Sequence, residues 1–192
     1  MVYIYDIVSE EDINHQLDAL LESLPPWRRR KALSYRNDLD RFLCAKAYLM
    51  LRDALMRDYG IQDEIRFAFN EYGKPFLAHH PDIHFSLSHC KKGVACAISY
   101  APVGIDMEVI GYDDDTARYA LTAGEYGQVL SSGNHAEEFT KIWTRKESYV
   151  KMLGTGLPGK PGGLVVQNAV FDTEVNREKG YVLSCCRPEN LS

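Results

Sequence analysis

GIDMEV, residues 104–109, and FTKIWTRKESYVKML, residues 139–153, carry the pattern on which the fold and chemistry of this chain turn. In the first, the two-residue period of a strand sends Asp106 and Glu108 to one face and Ile105, Met107 and Val109 to the other. Two neighbouring carboxylates disfavour each other's ionised form, so the face asks for a cation or for water, and a solvated strand face is the plainer account of a lone D-x-E. In the second, a helical projection gathers Phe139, Ile142, Trp143, Val150 and Leu153 into one stripe with Lys146 in its midst. Trp143, Glu147 and Lys151 follow at i, i+4 and i+8, so a carboxylate and a lysine emerge together from the rim of the buried face. An ordinary surface pair of Glu147 and Lys151, with the Lys146 stem lying along the core, is the alternative. If Asp106, Glu108 and Glu147 converge, they supply three hard oxygen donors, a set suited to Mg²⁺ completed by water and a substrate phosphate.

Working outward, the segment before residue 104 reads as a strand at 2–7, then a helix capped by Ser9 with Ile13, Leu17, Leu20, Leu21 and Leu24 at helical spacing, ended by Pro25 and Pro26. A basic cluster at 28–31 precedes a long helix over 38–59, with Phe42, Leu43, Leu49, Met50 and Met56 pointing inward and Gly60 as its stop. Strand-like runs at 65–70, 83–87 and 94–99 predict an antiparallel sheet, the last two joined by a turn at Lys91, Lys92 and Gly93. Residues 103–109 form a fourth strand. Helices at 115–130 and 138–153, a Gly/Pro-rich loop at 154–163 and strands at 164–171 and 181–186 complete the chain. The expected class is α+β, in two packed halves, 1–101 and 102–192.

A chain of 192 residues, 45% of them hydrophobic, can bury one sizeable core or two smaller ones. Its net charge of −5 argues against holding nucleic acid through an overall basic field, so any phosphate site must be local. No apolar run approaches a membrane span and the acidic start lacks a signal-peptide pattern, which predicts a cytoplasmic protein with no membrane partner. Cys44, Cys90, Cys96, Cys185 and Cys186 are odd in number and lack C-x-x-C spacing, as expected of reduced thiols.

FSLSH at 85–89, VGIDMEVI at 103–110 and WTRKESYVKMLGTGL at 143–157, with EYGKPFL at 71–77 ahead of them, closely resemble the signature segments of phosphopantetheinyl transferases of the surfactin-synthetase-activating type. The resemblance spans most of the chain and is weak after Gly163. It implies two similar α+β halves related by a pseudo-twofold, with coenzyme A in the cleft between them. The nucleotide side of that cleft falls in 1–101, the metal site and the WTRKESYVK helix in 102–192. It further implies holo-[acyl-carrier-protein] synthase activity: the phosphopantetheine of coenzyme A passes to a serine of an apo acyl- or peptidyl-carrier protein in fatty acid, polyketide or nonribosomal peptide biosynthesis. By the same resemblance Asp106, Glu108 and Glu147 hold Mg²⁺, with Mn²⁺ as an alternative, while Lys146 and Lys151 lie beside the phosphates. Lys74, Ser88 and His89 match positions that bind the nucleotide, with Arg29 of the basic cluster and Arg41 assisting. Glu147, Lys151 and Asp106 carry the catalysis. Phe42 stands where relatives carry a hydroxyl residue. Glu125 stands where a further acidic residue is found, although Thr122 and Glu125 also spell a capping box. A carrier is expected to dock on 111–132, where Tyr112, Tyr119, Leu121 and Tyr126 are either contacts or core. A monomer suffices.

Three other functions compete. GTGLPGK at 154–160 fits seven positions of a nucleotide-hydrolase P-loop, but Pro161 stands where a hydroxyl is needed and the segment follows a helix instead of a strand. A zinc module built from His79, His80, His84, His89 and Cys90 lacks recognised ligand spacing. A non-catalytic coenzyme A or carrier-protein binder is opposed by the intact Asp106, Glu108, Glu147 and Lys151.

Overall fold

The computed structural model describes residues 1–7, 9–157, 159 and 161–189. Strand β1 (Val2–Asp6) leads to helix α1 (Glu10–Glu22), whose cap is the Ser9 hydroxyl accepting the Asp12 N–H at 3.1 Å. Ile13, Leu17, Leu21 and Leu24 are buried, as their spacing predicts. The Pro25-Pro26 pair ends α1 and also opens helix α2 (Pro26–Leu33), because proline in a first helical turn gives up only an N–H that would have no partner there. The basic cluster 28–31 therefore sits on a helix. Helix α3 (Asp38–Tyr59) ends at left-handed Gly60, φ 68°. Phe42, Leu43 and Leu49 are buried on it, whereas Met56, expected inward, is 51% exposed one step around the helix from buried Leu55.

Strands β4 (His84–Cys90) and β5 (Gly93–Ser99) form the predicted hairpin, and β1 adds to the other side of β5, giving the order β1-β5-β4. Segment 65–70 does not join this sheet. Only β2 (Phe67–Phe69) is extended, and it pairs with β3 (Pro75–Leu77) in a separate hairpin, because the free side of β4 is taken by the next strand, β6 (Gly104–Val109). β5 is buried along nearly its whole length because it serves two cores. Cys96 and Ile98 pack with α1 and α3, while Ala95 and Ala97 cluster with Ile105, Met107 and Leu183.

After β6 come α4 (Asp114–Ala120), α5 (Ala123–Ser131), α6 (His135–Leu153), a short 3-10 turn Pro161–Gly163, β7 (Ala169–Asn176) and β8 (Tyr181–Pro188). The single helix expected over 115–130 is two. Leu121 turns extended, ψ 152°, and Thr122 restarts the chain as the N-cap of α5 in a complete capping box with Glu125. The strand expected at 164–171 begins only at Ala169. The order β6-β8-β7 repeats that of the first sheet: the opening strand lies beside the last and the penultimate strand lies outside. The fold is α+β with antiparallel sheets, and the chain passes from one group of elements to the other at 100–103 without helix or strand.

Candidate active site

Two local features bring α6 onto β6. Gly104 has no side chain to keep them apart: a Cβ there would stand 1.9 Å from the Ser148 carbonyl oxygen and 2.4 Å from the Met152 nitrogen. Farther up the helix, Thr144 Oγ1 meets Ser184 Oγ of β8 at 2.8 Å. Ser184 is the cross-strand partner of Asp106, so both face α6, while Ile105 and Met107 turn to the opposite core with Leu183 and Cys185. The period-of-two reading of GIDMEV holds. The single apolar stripe expected on α6 does not, since helix α6 is buried around most of its circumference and Leu153 is exposed.

The edge of β6 that β8 leaves free is closed by serines. Ser86 Oγ accepts the Ile105 N–H at 3.0 Å and Ser88 Oγ accepts the Met107 N–H at 3.2 Å, so the alternate residues of FSLSH fasten β4 to β6. Ser88 also donates to Asp106 Oδ1 at 2.9 Å. Lys151 Nζ lies 2.6 Å from the same oxygen and 3.0 Å from Ser88 Oγ. Asp106 is 2% exposed, and its second oxygen, Oδ2, is buried without a hydrogen-bond partner among the described residues. A buried carboxylate oxygen with nothing to accept from is a costly arrangement that a ligand would relieve.

The neighbouring acids feel this charge. Burial first, then Asp106 and Glu147, push the Glu108 carboxyl up to about 7, against the opposing pull of Lys151. Burial and then Asp106 also raise Glu147. The helical glutamate and the strand pair are thus in one electrostatic neighbourhood. Among the described residues no three His, Cys, Asp or Glu side chains are already drawn together as metal ligands, and the positive charge beside Asp106 is the Lys151 ammonium. The donor set nonetheless fits a hard divalent cation, being all oxygen, mutually repelling and left with one orphaned acceptor. His89, open at one side to the surface, is held below the ordinary imidazole value by partial burial first and by the charges of Lys151 and Arg28 next.

Glu147 and Lys151 line a cavity of about 410 Å³ whose opposite wall is Tyr72, Lys74 and Pro75. Burial lowers the Lys74 ammonium, which donates to the Met152 carbonyl at 3.1 Å. A second cavity of about 890 Å³, sharing Pro75, Phe85 and Leu87 with the first, runs on to Arg28 and Lys31 of α2. These two cations, one helical turn apart, face that cavity, whereas Arg29 points elsewhere and is exposed. Arg41 is engaged with Asp38 at 2.7 Å and with the Tyr35 carbonyl. Lys146, expected beside the phosphates, is 1% exposed, with its ammonium 2.7 Å from Glu125 and 3.1 Å from the Ala120 carbonyl. The same Glu125 oxygen accepts the Thr122 N–H, so the expected further acid is both helix cap and counter-ion. Phe42 is 1% exposed in the helical core. In segment 111–132, Leu121 is buried and Tyr112 and Tyr126 both donate to Asp114, which leaves Tyr119 as the one exposed member of that group of four. The P-loop alternative finds a loop that follows α6 and precedes the 3-10 turn; its Pro158 and Lys160 lie outside the described residues.

A sequence profile of the 4'-phosphopantetheinyl transferase superfamily matches residues 102–186, from the approach to β6 almost to the end of β8. The chain is 35% identical over 197 residues to 4'-phosphopantetheinyl transferase gsp of Aneurinibacillus migulanus, covering 93% of this chain and 82% of that one. It is 28% identical over 159 residues to 4'-phosphopantetheinyl transferase Sfp of Bacillus subtilis, covering 80% and 71%. It is 30% identical over 130 residues to 4'-phosphopantetheinyl transferase AcpT of Escherichia coli K12, covering 65% and 62%. The chain belongs to the 4'-phosphopantetheinyl transferase family and is a transferase enzyme. Its likeness to gsp and Sfp puts it with the Sfp type, the surfactin-synthetase-activating type that its signature segments resemble. No helix among the described residues is long and apolar enough to cross a membrane.

Proposed function

We propose that this transferase moves the 4'-phosphopantetheine group of coenzyme A onto a serine of an apo acyl- or peptidyl-carrier protein and releases 3',5'-ADP. The observation that carries this is the buried Asp106 carboxylate, orphaned on one oxygen among the described residues and bonded on the other to Lys151, which with Glu147 and Lys74 lines a cavity. Asp106, Glu108 and Glu147 are the residues that would hold Mg²⁺, with Mn²⁺ as an alternative. When bound there, the ion neutralises charge on the pyrophosphate. The halves 1–101 and 102–192 form the two sides of the cleft, and their shared strand order supports a pseudo-twofold relation.

Phosphoryl transfer asks the protein mainly for positioning and charge stabilisation. The 3'-phosphate end lies toward Arg28 and Lys31, with His89 near by, and the pyrophosphate lies against Lys74, Glu147 and Lys151, the last of these bonded to Asp106. Ser88 and Lys146 act from behind: Ser88 holds Asp106 and Lys151 in register, and Lys146 fixes α6 through Glu125. The carrier serine oxygen attacks the β-phosphorus, its proton passes to the Glu147 carboxylate, and the anhydride P–O bond to 3',5'-ADP breaks with Lys151 compensating the charge on the departing phosphate. Burial makes Glu147 a better proton acceptor than an exposed glutamate. Incubation with coenzyme A, Mg²⁺ and a panel of apo carrier proteins tests this: one phosphopantetheine added per carrier, by mass, is expected. No mass gain on any carrier contradicts it.

A further inference from the structure

Asn70, in the turn between β2 and β3, uses its amide in two directions. Oδ1 accepts the backbone N–H groups of Tyr72 at 3.0 Å and Lys74 at 2.8 Å, and Nδ2 donates to the Gly154 carbonyl oxygen at 2.8 Å. Two donors on one side and a carbonyl on the other fix which end of the amide is oxygen. Gly154 is the C-cap of α6, and a second bond from the same turn, Lys74 Nζ to Met152 O, lands two residues earlier. The last carbonyls of a helix have no partner within it, and here a turn from the other group of elements supplies them. The approach is close. A Cβ on Gly154 would stand 2.7 Å from Lys74 Cδ and 3.1 Å from Asn70 Nδ2, and the backbone has φ 73°, so glycine is needed on both counts.

This contact joins the two walls of the 410 Å³ cavity, Tyr72, Lys74 and Pro75 on one side and Glu147, Lys151 and Gly154 on the other. We propose that Asn70 is a positioning residue whose amide sets the separation between the turn carrying Lys74 and the end of α6 carrying Glu147 and Lys151, and thereby the affinity for the phosphate-bearing substrate. The identity of that substrate as coenzyme A rests on the function proposed above. Asn70 acts through its neighbours: a change in its Nδ2 bond alters the spacing of two cations and a carboxylate that a pyrophosphate must meet together.

Two substitutions separate the clamp from the turn. Asn70→Asp keeps an oxygen to accept from Tyr72 and Lys74 but has no donor for the Gly154 carbonyl, whereas Asn70→Ala loses both functions. The measurements are Kd for coenzyme A by calorimetry, KM and kcat at saturating carrier, melting temperature, and amide hydrogen exchange over residues 150–154. Both variants are expected to weaken coenzyme A binding about 10-fold, in Kd and KM alike, with kcat within about two-fold of the parent. Exchange at the end of α6 should quicken in both, while Asn70→Asp melts close to the parent. Parent-like affinity and exchange in Asn70→Asp, with only Asn70→Ala impaired, would show a residue that shapes its own turn and would overturn the proposal. A parent protein that transfers nothing from coenzyme A would contradict the proposed function instead, and hydrogen exchange in Asn70→Asp would still decide the clamp.

Discussion

At Asp106, burial, an ammonium at 2.6 Å and an oxygen without a partner among the described residues coincide. Asp106→Asn keeps the shape of the site but removes the charge, and carrier modification is expected to fall at least about 100-fold in initial rate. Near-parental rates would remove Asp106 from the chemistry. Glu108 offers a test in solution without metal. Its carboxyl, pushed up to about 7 from an unfolded value near 4.5, binds its proton more tightly in the folded chain than in the unfolded one. Its contribution therefore favours the fold fully below about 4.5 and is lost as pH rises through about 7. In metal-free protein, urea unfolding at pH 5 and pH 8 should show a drop in stability that Glu108→Gln reduces by on the order of 1 kcal/mol, a modest figure because solvent screens a partly exposed group. The carboxylate pair was legible in the sequence because strand period alone fixes which residues share a face. The partners of each acid were not: that Ser88 turns inward to hold Asp106 depends on β4 lying against the free edge of β6, which no local pattern states.

Helix α6 owes its place to one missing side chain and one buried charge. Gly104→Ala would drive a methyl into the Ser148 carbonyl and is expected to cost about 3 kcal/mol or more in urea unfolding, or to prevent folding. Gly104→Ala with parental stability would mean that α6 is free to move away from β6. Glu125→Ala strands the Lys146 ammonium in the interior and should cost about 2–4 kcal/mol, whereas adding Lys146→Met should recover part of the loss. A double variant no more stable than Glu125→Ala would contradict the pairing. Helix phase explains which expectations needed correcting here. Because α2 begins at Pro26, Arg28 and Lys31 share a face and Arg29 does not, and a proline pair marks the start of one helix as readily as the end of another. Thr122 and Glu125 spelled a capping box, which by itself breaks the helix drawn over 115–130; the signal was in the sequence and its consequence for the element boundary is plain once Leu121 is seen extended. Residue spacing on α6 sets the Lys146 ammonium amid apolar residues, but its partner comes from another helix and cannot be read from α6 alone.

For the whole molecule, two sheets of like strand order meet along β4 and β6, and the cavities open where the β2–β3 turn reaches across to α6. The class of fold was legible because strand and helix periods alternate cleanly over most of the chain. The separate β2–β3 hairpin was not, since three-residue strands carry almost no periodic signal. A net charge of −5 on the enzyme leaves phosphate recognition to local cations, and those that line the joined cavities, Arg28, Lys31, Arg66, Lys74 and Lys151, come from well-separated parts of the sequence. The claim on which all of this depends is that Asp106, Glu108 and Glu147 act together on one divalent ion. Electron paramagnetic resonance of Mn²⁺ titrated into the protein with coenzyme A present reads this directly. One ion bound per chain in the parent, and none at the same concentrations in Asp106→Asn or Glu147→Gln, is the predicted result; undiminished Mn²⁺ binding in both variants would contradict it.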